Sequence, residues 1–264
     1  MSTELATIDP NLNPLGFLGD DDSETVRPVN LELVAANKAS EEEGTIAGRW
    51  RDTQSNFQYK EIGLVVLEMR DGRVYFPTKE LGSKPLCRSN DGINPVESDD
   101  LVRQDGGKGC AKCQYGPKSW KVIGGKKIKP ACQSTKTVLT VQPETGFPYR
   151  INAKGTSYTV FQDLKDTIKK TYLAAKANGK IWLPTQMLFK LSSMKVRGRE
   201  GDYYVPKISA PMEVPADLQA DVNRVYNRLV VNRGADYSDE AEEAPAETAD
   251  AAIDGVLEGQ YVAA

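Results

Sequence analysis

Hydrophobic alternation divides the central part of the chain into strands and helices. From Phe57 to Met69 the apolar positions read as a strand, with Ile62-Gly63-Leu64-Val65-Val66-Leu67 at its centre. The Asp71-Gly72 pair predicts a tight hairpin into a second strand, Arg73 to Pro77. Lys136 to Gln142 alternates Thr, Val and Leu as a strand does, and Pro143-Glu144-Thr145-Gly146 turns it into Phe147 to Asn152. Helical spacing follows in Val160, Phe161, Leu164, Ile168 and Tyr172, from a start near Thr156 or Ser157 to a stop at Asn178-Gly179. Ile181 to Leu183 and Met187 to Val196 are strand-like, Gly198 to Gly201 turns, and Tyr203 to Ile208 is a further strand. Pro215 suits the start of a closing helix with Leu218, Val222, Val225 and Leu229 on one face.

The order is β-β-insert-β-β-α-β-β-α, mainly β with helices (α+β). A five-stranded barrel with a helix before its closing strands is the OB-fold pattern, and small mixed sheets fit nearly as well. The insert, 85–133, lacks strand or helix propensity, and a loop of that length needs something other than a core to order it. The ends differ from the body. Residues 1–47 carry Pro/Asn/Gly turns, the Asp20–Asp22 cluster and a helical stretch from Val29 to Ala39, and read as a loosely ordered acidic arm. Residues 234–264 are rich in Ala, Glu, Asp and Pro and read as a disordered acidic tail. No internal repeat is visible.

Charge changes this picture most. A sequence pI near 5.3 conceals a segregation. Residues 1–47 have a net charge of −8 and residues 234–264 of −9, the latter without one basic residue. Residues 48–233 hold 32 Lys and Arg against 18 Asp and Glu, a net of +14. A basic body between acidic ends suits a polyanion partner, with an acidic end that lies in the empty groove or recruits basic proteins. No run approaches the roughly 18 apolar residues of a membrane span, and the first residues lack the basic start and apolar stretch of a signal peptide. An intracellular setting is expected.

All four cysteines fall in the insert: Cys87, Cys110, Cys113 and Cys132, with 22, 2 and 18 residues between them. A C-x-x-C turn offers two sulfurs to one ion, and longer loops bring one more from each side. There is no histidine, which removes the commonest general acid–base group and favours a closed structural zinc over a catalytic one. Disulfides, buried apolar thiols and a redox C-x-x-C are the alternatives. A reducing compartment disfavours the first, and the last has no βαβ pattern around it. The P-loop, the dinucleotide-binding glycine pattern and the nucleophile elbow are absent.

Two groups of basic residues lie beside aromatics. Lys118, Lys121, Lys126, Lys127 and Lys129 accompany Tyr115 and Trp120 in the insert. Lys190, Lys195, Arg197, Arg199 and Lys207 accompany Tyr204 on the late hairpin. Lysines track phosphates while aromatic rings stack on bases, at about 1–3 kcal/mol per base, so single-stranded nucleic acid is the expected ligand. Ordinary solvated lysines beside core aromatics are the plain alternative.

A basic, strand-rich body with a cysteine zinc site and a long acidic tail resembles the single-stranded-DNA-binding replication proteins of bacteriophages. That resemblance is one of architecture; the segments Pro85-Leu86-Cys87-Arg88-Ser89-Asn90-Asp91-Gly92, Cys110-Ala111-Lys112-Cys113, Trp120 and Lys129-Pro130-Ala131-Cys132 also resemble a pattern in uncharacterised phage proteins, followed there as here by a strand, a helix and the late Gly201 to Pro206 element. It covers roughly residues 50–229. It implies an OB-fold with one structural Zn²⁺, coating of single-stranded DNA (or RNA) during phage replication or recombination, and contacts between the tail and other replication proteins. It also implies a non-enzymatic protein in the cytoplasm of an infected bacterium. The chain departs from the family where a member's zinc site includes histidine, and where tails end in an aromatic residue. The alternative is a zinc-ribbon interaction protein that binds RNA polymerase or a nuclease. A metal-dependent nuclease is a third reading, drawn from Asp91, Asp99, Asp100 and Asp105.

Overall fold

The computed structural model describes residues 28–76, 85–96, 109–113, 115–116, 121–123, 126–128, 131–180, 182–198 and 201–232. Most of its strands join one ten-stranded sheet. The central strand is β4, Ile62–Tyr75, 14 residues long. On one side it pairs along its length with β8, Gln133–Gln142. Its other side is shared between two strands of later number. Ile62 to Val65 pair with β10, Met187–Arg197, and the last three residues with β5, Cys87–Ser89. β8 continues through a hairpin into β9, Phe147–Ala153, and β10 into β11, Asp202–Ile208.

The Asp71-Gly72 hairpin expected from the sequence does not form. Both residues lie inside β4. Gly72 is needed there for contact rather than for a turn. A Cβ at this position would lie 2.7 Å from Thr135 Oγ1 and 2.8 Å from the Ser89 carbonyl oxygen. The neighbouring strands therefore close on a bare backbone.

Residues 28–47 also differ from the expected arm. Val29–Leu33 is a strand, β1, not a helix, and only Ala36–Glu41 is helical, as α1. β1 runs parallel to β9 and antiparallel to β2, Trp50–Asp52, which pairs in turn with β3, Gln58–Tyr59. Val29 and Leu33 pack against the core and Leu31 is buried in it, so the apolar residues that suggested a helix serve a strand. The first 27 residues and the tail at 234–264 lie outside the described residues.

The sheet does not close into a five-stranded barrel, although it curls far enough for its two ends to touch. The Trp50 indole N–H donates to the Ser192 carbonyl on β10 at 3.0 Å, and the Ser193 hydroxyl donates to the Gly48 carbonyl. The Tyr204 ring lies flush on Gly48, which has a φ of +77°, and a Cβ there would sit 2.4 Å from the ring. Only glycine fits both demands.

Two cores follow from strand alternation. The concave face collects Leu31, Trp50, Leu64, Val138, Ile151 and Phe189. It is covered by α2, Gly155–Ala177, through Phe161 and Leu164. The opposite face collects Val65, Leu67, Leu139, Val141 and Leu188. It is covered by α3, Gln219–Tyr226, and the π turn that continues it, through Val222, Val225 and Leu229. The elements expected from Lys136 onward are present, except that Trp182 and Leu183 are not strand. The insert, expected to be unstructured, contains β5 and a separate ladder of β6, Lys121–Ile123, with β7, Lys126–Ile128. β12, Met212–Glu213, pairs with β10. No helix among the described residues is long and apolar enough to cross a membrane.

Candidate functional site

The upper end of β4 gathers the insert. Register places Tyr75 opposite Cys87, and the Tyr75 ring stacks on Tyr115 with centroids 4.6 Å apart and planes 12° apart. The Cys132 N–H donates to the Tyr115 carbonyl at 3.0 Å, and the Gly116 N–H to the Cys113 carbonyl at 3.0 Å. The Cys110 N–H reaches back to the Ile93 carbonyl at 2.8 Å. One aromatic stack and three backbone bonds thus fold the cysteine loops onto the sheet. Tyr115, expected to stack on bases, stacks on the protein.

None of the four cysteines is in a disulfide; Cys110 is buried and the others are half-buried. Burial, with smaller contributions from Cys110 and Cys113, pushes the Cys132 thiol up to about 11 against the pull of the Arg73 guanidinium. Cys113 and Tyr115 likewise add to the burial that raises the Tyr75 phenol. These three sulfurs therefore share one electrostatic neighbourhood. Among the described residues, no three Cys, Asp or Glu side chains meet closely enough to form a metal-ligand group.

Next to this region, β4 carries a charge network made by a β-bulge. Pairing with β8 slips between Val66 and Glu68. Inward-facing positions therefore change from Ile62, Leu64 and Val66 to Met69 and Asp71, opposite Val138 and Lys136. Lys136 has no exposed side-chain surface and pairs with Asp71, which also accepts from Lys165 of α2 at 2.5 Å. The Lys136 ammonium lies 5.0 Å from the centre of the Tyr158 ring, a cation–π contact, and Lys154 lies 5.2 Å from that of Phe76. Burial alone would raise the Asp71 carboxyl, but hydrogen bonds and charges from the two lysines hold it below its ordinary value.

Asp91 organises the loop after β5. Its carboxylate accepts from the Asn94 and Ile93 backbone N–H groups at 2.7 Å each, and from Ser89 and the Asn94 amide. Those bonds hold it well below the usual carboxylate range. A shallow cavity of about 450 Å³ opens between Arg70, Asp71, Asn90, Asp91, Asn94 and Val96. Both of its carboxylates, Asp71 and Asp91, are engaged within the chain.

The other sequence-predicted ligands separate. Lys118, Trp120, Lys129 and Arg199 lie outside the described residues, as do Asp99, Asp100 and Asp105. Lys121, Lys126 and Lys127 occupy the β6–β7 ladder. On the β10–β11 hairpin, Lys195, Arg197 and Tyr204 share one face by register, while Lys190 and Lys207 occupy the other. Two of these cations are already paired, Lys190 with Glu61 at 3.1 Å and Lys195 with Asp202 at 2.6 Å. Tyr204 is committed to Gly48. Sequence reasoning missed the Asp71–Lys136 pair, 65 residues apart and without a local signal. It also missed the lysines of α2, whose signal is an acid-free stretch from Thr167 to Arg199.

No protein-family model, curated protein or solved structure matches this chain.

The Asp71 network sets a stability expectation. Asp71→Asn leaves the Lys136 ammonium buried without a counter-charge. The cost should be about 2–3 kcal/mol, below the about 3–5 of a fully buried pair because Asp71 is partly open to solvent. Urea unfolding at pH 7 measures it. The folded carboxyl is depressed, so the wild-type advantage is fully present above the ordinary value of 3.8 and is lost as pH falls from there through the folded value. The gap between wild type and variant should therefore close in acid.

Proposed function

We propose that this chain is a non-enzymatic single-stranded-DNA-binding protein of the phage replication type, built on an OB-like barrel. The observation that carries the proposal is strand connectivity. β4 is flanked by β8 and β10, β8 and β9 form a hairpin, α2 follows β9, and β10 and β11 form the last hairpin. An OB barrel has the same order for its five strands and its helix. The difference lies at closure, where β1 runs parallel to β9 in the slot the last strand would fill. The barrel interior then corresponds to the core under α2.

Charge supports the same reading. A body of net +14 is more basic than solubility requires, and a tail of net −9 offers a competing polyanion or a handle for replication proteins. The cysteines would hold one structural Zn²⁺. Cys87 and Cys132 flank the ends of β5 and β8 and Cys110–Cys113 supplies the turn, so four thiolates from three segments would tie the insert to the sheet. Mutual repulsion among thiolates is what a divalent cation would relieve. One observation favours the rival reading, a zinc-ribbon protein that binds another protein: two of the hairpin lysines, Lys190 and Lys195, are paired with Glu61 and Asp202.

Two experiments test this. Labelled oligo-thymidine, duplex DNA and RNA are titrated into the full chain over a salt series. Preference for the single DNA strand is expected, with log affinity falling by about 0.7 per decade of salt for each phosphate neutralised. Equal affinity for duplex, or indifference to salt, contradicts the proposal and favours a protein partner. Metal analysis of the purified chain should find one zinc per molecule. Chelation should unfold the insert, because structural zinc contributes about 10–16 kcal/mol in small domains. A folded chain without metal removes that role.

A further inference from the structure

From Thr167 to Arg199 the chain holds eight Lys and Arg and no Asp or Glu. Four of the eight, Lys169, Lys170, Lys176 and Lys180, lie on the second half of α2 and the turn that ends it. All four are exposed, and none has a carboxylate partner among the described residues. The hairpin lysines Lys190 and Lys195 contrast with them, each held by an acid.

Packing explains why this surface is free. Phe161 and Leu164 are buried and Ile168 lies against the core, but beyond Ile168 no residue of α2 is buried. The last nine residues of the helix extend roughly 13 Å past that anchor at 1.5 Å per residue. Helical geometry places Lys165, Lys169, Tyr172 and Lys176 within a sector about 60° wide. Tyr172 is 44% exposed and its neighbour Leu173 is 51% exposed. The ridge begins at Lys165, which is bound to Asp71 below the cysteine insert, and runs outward from there.

A solvated helix face explains lysines but not an exposed tyrosine and leucine between them. Compensation of the helix dipole explains Lys176 in the last turn, but not Lys169 and Lys170 further back. Unpaired cations that alternate with an accessible ring suit a phosphate–base polymer. We propose that the Lys169, Tyr172 and Lys176 ridge is the main track for the single strand, with the lysines on phosphates and Tyr172 stacked on a base. This rests on the single-strand-binding reading above and moves its principal surface from the β10–β11 hairpin to α2.

The test compares four full-length proteins with labelled oligo-thymidine by fluorescence anisotropy over a salt series. They are wild type, the double variant Lys169→Ala/Lys176→Ala, the single variant Tyr172→Ala, and the hairpin variant Lys190→Ala/Lys195→Ala. Circular dichroism checks that each is folded, and Lys169→Ala alone serves if the double variant is not. The double variant should bind about fivefold or more weakly, and its log–log salt slope should shrink by about 1.4 as two phosphate contacts are lost. Tyr172→Ala should weaken binding at an unchanged slope, and the hairpin variant should stay close to wild type. If the double variant matches wild type in affinity and slope, the ridge is not the track, while the single-strand reading stands. If it binds more tightly, the ridge holds the chain's own acidic tail, which also overturns the proposal. If wild type itself does not bind, both readings fall.

Discussion

The ladder between β4 and β8 bears the rest of the molecule. A strand of 14 residues is long enough to serve two structures, and β4 does so. Its start, Ile62 to Val65, pairs with β10 and the stretch from Val65 onward with β8, which makes the wall of the curled sheet; its last three residues take β5 and, through Tyr75, the cysteine loops. The bulge between Val66 and Glu68 joins the two halves. Without it, alternation would turn Asp71 away from Lys136, and a fully buried ammonium would face no carboxylate. That pair in turn fixes Lys165 and the base of α2 beside the insert. Core, helix and cysteine region therefore meet on a few residues of one strand.

This junction gives the charge distribution its meaning. A net of +14 is a property of the whole body, but two cations of the late hairpin, Lys190 and Lys195, are already paired with Glu61 and Asp202. Charge that can attract a polyanion is charge that no neighbour has already satisfied. By that criterion the outer half of α2 contributes more than the hairpin. The acidic tail would then act as a competitor for the same lysines, since it carries nine acids and no base.

What the sequence made legible follows from the range of each signal. β8, β9, α2, β10 and β11 show their periods within a few residues, and all were readable. Asp71-Gly72 has the composition of a turn, yet the glycine serves the close approach of Ser89 and Thr135, a contact that exists only in three dimensions. Val29 to Leu33 is apolar enough for either element, and its parallel pairing with β9, some 120 residues away, decides for strand. The cysteines were visible as a cluster from spacing alone. The pairing of Lys136 with Asp71, and the neutralisation of Lys190 and Lys195, depend on partners distant in sequence or on register, and spacing carries no trace of them.

Hydrogen–deuterium exchange of the full chain, free and saturated with oligo-thymidine, tests the central claim most directly. The account predicts slower exchange on binding in residues 168–180 and in the cysteine insert from 109 to 132, with α3 on the opposite face unchanged. Uniform exchange across the chain with and without the oligonucleotide, or protection confined to α3, would contradict it.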